Sequence, residues 1–194
     1  MKTEDKITEL FADSIRVKEQ FVSQYASLIR EVSDLIVSSF RNGNKLLLMG
    51  NGGSSSDASH IAGEFVNRFL KDRPPLPAIA LNTDMAVITS IGNDYGFNLI
   101  FSRQVETLAK EGDIVIAIST SGNSPNVIAA VETARKMGNT TIGLTGGSGG
   151  KLVSLVDYAF IVPSEATPRI QEAHITLGHV ICQVVEDALF GEPS

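Results

Sequence analysis

Two stretches of this sequence gather glycine and hydroxyl side chains in a form suited to holding a phosphate: Gly50-Asn51-Gly52-Gly53-Ser54-Ser55-Ser56-Asp57 and Ser119-Thr120-Ser121-Gly122-Asn123-Ser124-Pro125. Each follows a short apolar run and precedes a helical pattern. In the second, Ser124 is the natural N-cap and Pro125 the first helical residue, so free N–H groups and the positive end of the helix dipole face outward. A phosphate there would take hydrogen bonds from Ser119, Thr120, Ser121 and Ser124. The plain alternative is a polar loop before a well-capped helix. In the first stretch the glycines allow close backbone approach or positive φ. It lacks the lysine of a P-loop and the spacing of a dinucleotide fingerprint, which argues against nucleoside triphosphate and NAD. Two such loops weigh more than one.

Acid–base groups come from two helical segments. His60 and Glu64 stand four residues apart and share a helix face, as a metal-ligand pair, a catalytic dyad or a surface couple. Their neighbours Ile61, Ala62, Phe65 and Val66 are apolar, and a carboxylate partly buried there needs a partner. Near the end of the chain, Gln171 and His179 are separated by roughly 80° around a helix and can share one site, whereas His174 and His179 are separated by roughly 140°. His174 is therefore expected on the other side. Aldose–ketose isomerisation needs a base for a carbon-bound proton and an acid for the oxygen, and Glu and His suit that pair. Spacing alone does not bring Glu64 to His179.

The elements that must position these groups follow from periodicity. Residues 4 to about 40 repeat apolar side chains at helical spacing, as two helices or as one broken near residues 23–25, with a stripe wide enough to engage a second copy of the chain. Short apolar runs at 45–49, 77–81, 113–118, 140–144 and 158–162 predict buried strands. They alternate with helical patterns near 54–70, 84–92, 98–109, 125–137 and 151–155, and a last helix near 168–190. This predicts right-handed crossovers and a parallel sheet covered on both faces. Glycines cluster at the strand ends, where open parallel sheets bind ligands. A single domain over 1–194 is expected, with N-terminal helices in 1–42 serving oligomerisation and a sugar-phosphate-binding core in 43–194.

Composition narrows the partners. Net charge is −6 with 16 basic residues, scattered along the chain, against a broad surface for nucleic acid or anionic membrane. The lone Cys182 excludes an intramolecular disulfide and reads as a small buried hydrophobe. No leader or membrane span is evident, so a soluble, cytoplasmic protein is expected.

Four motifs in register, Gly50-Asn51-Gly52-Gly53-Ser54-x-x-Asp57-Ala58-x-His60-x-x-x-Glu64, Gly92-Asn93-Asp94-Tyr95-Gly96-Phe97, Ser119-Thr120-Ser121-Gly122-Asn123-Ser124 and Arg169-Ile170-Gln171-Glu172-x-His174, closely resemble the phosphoheptose isomerases of the sugar isomerase (SIS) domain family. The resemblance implies an α/β fold: one SIS domain, a three-layer α-β-α sandwich around a five-stranded, flavodoxin-like parallel sheet. It implies substrate contacts from Asn51, Gly52, Gly53, Glu64, Asn93, Asp94, Ser119, Thr120, Ser121, Ser124 and Gln171, with Glu64 as base and His179 as its acid partner. Asp94 would orient a sugar hydroxyl or a water. Some family members bind zinc, and the matching ligands are His60, Glu64, Gln171 and His179. The implied reaction converts D-sedoheptulose 7-phosphate to D-glycero-D-manno-heptose 7-phosphate, the opening step toward nucleotide-activated heptoses of bacterial surface glycans, in homotetramers with sites between subunits. Residues 73–84 and the ending Asp187-Ala188-Leu189-Phe190 also resemble a SIS group that binds the replication initiator DnaA. That group generally lacks the Glu and the late His, which this chain has. A sugar-phosphate sensor is a third reading, but the N-terminal region is too short and acidic for a DNA-binding domain.

Overall fold

The five apolar runs form one parallel sheet in the order β2-β1-β3-β4-β5, with β1 at Leu46–Gly50, β2 at Ala78–Ala80, β3 at Ile114–Ile118, β4 at Thr140–Gly146 and β5 at Tyr158–Val162. A computed structural model describes residues 2–191; the outer ends of the span 1–194, residue 1 and residues 192–194, lie outside them. β1 and β3 are buried along their whole lengths, because side chains alternate between two covered faces. Leu46 and Leu48 pack with α1 (Thr3–Arg41), α2 (Gly53–Val66) and α6 (Thr167–Phe190). Leu47 and Met49 pack on the other face with α4 (Ser102–Leu108) and α5 (Pro125–Lys136). The result is the expected three-layer α-β-α sandwich.

The chain steps outward from β1 to β2 and then crosses back to β3, so the sheet reverses direction between β1 and β3. The two strands pair from Leu46↔Ile114 to Gly50↔Ile118. Their carboxyl ends therefore lie side by side at the switch point, where this architecture opens a crevice. Both glycine- and hydroxyl-rich loops leave from there.

Four expectations change in detail. The first helix runs unbroken from Thr3 to Arg41: the Ser23 hydroxyl bonds back to the Gln20 carbonyl at 2.8 Å. Tyr25 is buried, its ring 5.0 Å from Phe21 and 5.5 Å from Phe160, and its hydroxyl accepts from the Ile161 N–H at 3.2 Å. Buried aromatic packing through the suspected break keeps the helix continuous. The helix expected over 54–70 stops at Val66, where Arg73 takes up its last carbonyls. The 98–109 segment divides into a 3-10 turn at Phe97–Leu99 and α4, and 151–155 is a 3-10 turn at Leu152–Ser154.

Candidate active site

Glycine sets the approach of α2 to α6. Gly52, at φ 55, starts α2 from a left-handed backbone that favours glycine. A Cβ on Gly53 would fall on the amide of Gln171, and one on Gly178 would fall on the side chain of Ile61. The helices therefore touch at two levels, and side chains from both converge beside the second, Gly178–Ile61, contact.

His60 Nε2 lies 3.0 Å from Glu64 Oε1 along α2 and 3.4 Å from Nε2 of His179 on α6. The two imidazoles meet edge to face, with centroids 4.9 Å apart and planes at 74°. The ring of Phe69 lies 5.6 Å from that of His179, tilted by 31°. Two imidazole nitrogens and a carboxylate oxygen thus lie within 4.8 Å of one another. The side chains of His60 and Glu64 are 49% and 24% accessible, so the cluster opens to solvent and can receive a ligand. Nitrogen and oxygen donors in this number suit zinc, whose remaining positions can be filled by an amide oxygen or by substrate. Gln171 sits at the N-terminal turn of α2, its amide packed on Gly53.

The second loop is pre-shaped. Gly122, at φ 64, donates its N–H to the Ser119 carbonyl at 2.9 Å. Ser124 occupies the N-cap position before Pro125, but its hydroxyl makes no capping bond and pairs instead with the Ser119 hydroxyl at 3.0 Å. The N-cap position is the expected one, and its hydroxyl contact runs across the loop. Asn51 and Asn126 exchange two amide bonds of 2.9 Å, locking the first loop to the start of α5. A cavity of about 290 Å³ opens beside Thr120, Ser121, Asn123, Gly146, Ser148 and Glu165.

Other expected residues lie outside the His–Glu–His cluster. Asn93 and Asp94 end α3 (Met85–Asp94), which has no buried residue. Both are exposed, and the Asn93 amide donates to Asp94 at 2.8 Å. His174 is buried and bonds through Nε2 to the Thr145 carbonyl at 3.1 Å, away from the cluster as its angular position predicts. Burial pushes its pKa down to about 4, only partly offset by that bond. Burial, with a further contribution from Glu64, pushes the Cys182 thiol up to about 12, consistent with an inert packed residue.

Sequence reasoning left Asp57 and Phe69 without roles. Burial raises the Asp57 carboxyl, against the opposing influence of His60, and its Oδ2 is buried without a partner. Asp57 lies three residues before His60, a helical spacing that was available as a signal; the contact of Phe69 depends on the path of the 67–73 segment and had none.

A doubly wound α/β sheet with glycine- and hydroxyl-rich loops at its switch point and a His–Glu–His cluster between α2 and α6 places the chain among the small-ligand-binding α/β folds. The SIS domain model matches residues 9–146, and the chain belongs to the SIS domain family. A phosphoheptose isomerase of Thermodesulfovibrio yellowstonii is 60% identical over 194 residues, covering 100% of this chain and 96% of that protein. The structure of a phosphoheptose isomerase from Francisella tularensis matches with a TM-score of 0.92 at 41% identity, over 96% of this chain and 100% of that one. That of the Neisseria gonorrhoeae phosphoheptose isomerase matches with a TM-score of 0.90 at 39% identity, over the same shares.

Proposed function

We infer that the chain catalyses the isomerisation of D-sedoheptulose 7-phosphate to D-glycero-D-manno-heptose 7-phosphate, the first step toward nucleotide-activated heptoses. The observation that carries this reading is the convergence of Glu64, His60 and His179 in a chain 60% identical to a phosphoheptose isomerase along its whole length. The retained Glu64 and His179 count against the DnaA-binding alternative.

The loops bind and the cluster moves protons. Ser119, Thr120, Ser121 and Ser124 hold the phosphate, while Asn51, Gly52, Gly53, Asn93, Asp94 and Gln171 orient the sugar. Glu64 has Oε1 directed at His60, which leaves Oε2 for the carbon-bound proton. It takes that proton from C1 of the open-chain ketose and returns it to C2, while His179 supplies a proton to the C2 oxygen and the O1 hydroxyl gives one up. The intermediate is a 1,2-enediol and the overall composition is unchanged. His60, Glu64, Gln171 and His179 are the residues that would hold zinc. When bound it supplies Lewis-acid stabilisation of charge on the sugar oxygens.

The core at residues 43–194 binds substrate, and the N-terminal 1–42 segment serves assembly. On α1, Ile7, Leu10, Phe11 and Ile15 are 51%, 48%, 70% and 55% accessible, an apolar row suited to other copies in a homotetramer. Among the described residues no helix is long and apolar enough to cross a membrane, and a cytoplasmic site of action fits a phosphorylated metabolite.

The deciding experiment follows the sugar by NMR and mass spectrometry with native protein, Glu64→Gln and His179→Gln, before and after chelation and zinc return. Conversion by native protein and its loss, by about 10²-fold or more, in both folded variants is expected. No conversion by folded, zinc-supplied native protein overturns the reading. Light scattering reads the tetramer, which a monomeric mass would exclude.

A further inference from the structure

Glu186 lies seven residues beyond His179 on α6, about two turns on, so the two side chains leave the same helix face. Its side chain is 2% accessible. The carboxylate accepts the N–H groups of Phe69, Leu70 and Lys71 at 3.0, 2.8 and 2.9 Å and Arg73 Nε at 2.8 Å. Arg73, whose side chain is 1% accessible, donates Nη2 to the Glu64 carbonyl at 2.8 Å and Nη1 to the Phe65 carbonyl at 3.0 Å. Those carbonyls belong to the last turn of α2 and have no acceptor role left inside the helix. The ring of Phe190 covers the guanidinium at 5.7 Å.

One buried ion pair therefore joins the face of α6 that carries His179 to the end of α2 that carries Glu64. The segment it threads also delivers the Phe69 ring to His179. Compared with apolar side chains of the same size, a buried pair adds little net stability, but its directional bonds fix geometry. An acid and a base acting on one substrate depend on such fixing, because a displacement of about 1 Å can cost about 10²-fold in rate.

We propose that Arg73 and Glu186 form a positioning pair that sets the separation of Glu64 and His179 by clamping residues 67–73 between α2 and α6. The proposal rests on the acid and base assignment above. Neither residue touches the sugar; both act through the groups they hold.

Arg73→Lys keeps the charge but loses the planar fork whose three separate nitrogens reach two carbonyls and Glu186. Glu186→Gln keeps the shape and removes the charge; if it fails to fold, Arg73→Lys decides. Both are assayed on sedoheptulose 7-phosphate beside Ile36→Val, a core change on α1. The expected result is a kcat lowered about 10²-fold in Arg73→Lys with KM within about twofold of native, while Ile36→Val keeps the native kcat. A second readout needs no turnover. The chain has 3 histidines, so their ring-proton NMR signals can be assigned. In Arg73→Lys the His179 signal moves as the Phe69 ring shifts, and that of His174 stays. A folded Arg73→Lys with native kcat and an unmoved His179 signal overturns the proposal, as does an equal loss of kcat in Ile36→Val. If native protein does not convert the sugar, the acid–base reading falls separately. The His179 signal then decides the clamp, supporting it if it moves and refuting it if it does not.

Discussion

His60 and His179 hold their Nε2 atoms 3.4 Å apart although 119 residues separate them in the chain. The meeting depends on the close packing of α2 on α6, with the Gly178–Ile61 contact beside it and the Gly53–Gln171 contact about two turns earlier. Glycine serves at each contact, because a Cβ would enter volume already filled.

Gly178→Ala tests that packing. The added methyl meets Ile61, and overpacking of this kind costs about 1–3 kcal/mol. A lower urea midpoint is expected together with a reduced kcat, since the same displacement moves His179. Urea titration and the isomerase assay check the two effects.

Ser124→Ala tests the phosphate cradle. It removes the Ser119–Ser124 hydroxyl contact and, in the bound state, a hydrogen bond to a charged group of about 1.5–3 kcal/mol. KM for sedoheptulose 7-phosphate should rise about tenfold or more, with thermal stability close to native. Steady-state kinetics and a melting curve read these.

Glu186 makes stability depend on acid pH. Burial alone would raise its pKa, but the N–H groups of Leu70, Lys71 and Phe69 and the Arg73 side chain bring it from an ordinary 4.5 down to about 2. The folded state therefore binds the proton less readily than the unfolded one. The carboxylate's contribution is complete above about pH 4.5 and is lost as pH falls toward 2. Urea midpoints measured across that window should fall with pH in native protein and fall less in Glu186→Gln. That variant should also be less stable at neutral pH by about 3–5 kcal/mol, because it leaves Arg73 buried without its counter-charge.

His174 adds a second, higher window. Burial lowers its folded pKa from 6.5 to about 4, so between those values the unfolded chain takes up a proton that the folded one refuses. Stability is undiminished above about pH 6.5 and declines as pH falls toward 4. His174→Gln, which can still donate to the Thr145 carbonyl, should flatten this part of the profile. Equal slopes in native and variant protein between these pH values would contradict the assignment.

Much of the architecture was legible because it is encoded locally. Leu46–Gly50 and Ile114–Ile118 are short apolar runs whose burial on both faces follows from composition and length, and the loops after them carry their glycines and hydroxyls in plain view. The angular separation that parted His174 from His179 is a property of any helix. Where local signals competed, packing settled the outcome. Ser23 and Tyr25 looked like a break until Phe21, Phe160 and the Ile161 N–H were brought against Tyr25, and Ser124 satisfied a hydroxyl across its loop rather than the helix it precedes.

The chain's own order of residues determined the strands, most of the helices, the glycine- and hydroxyl-rich make-up of the loops and the pairing of His60 with Glu64 on one face, because each arises from neighbours within a few positions. Only the tertiary structure decided that His179 joins them, that Asn93 and Asp94 stand on an exposed helix end, and that Glu186 and Arg73 lie behind the cluster. Those relationships depend on how helices settle on the sheet. A contact between distant residues is set by the volumes and hydrogen bonds of everything packed between them, which no local spacing records.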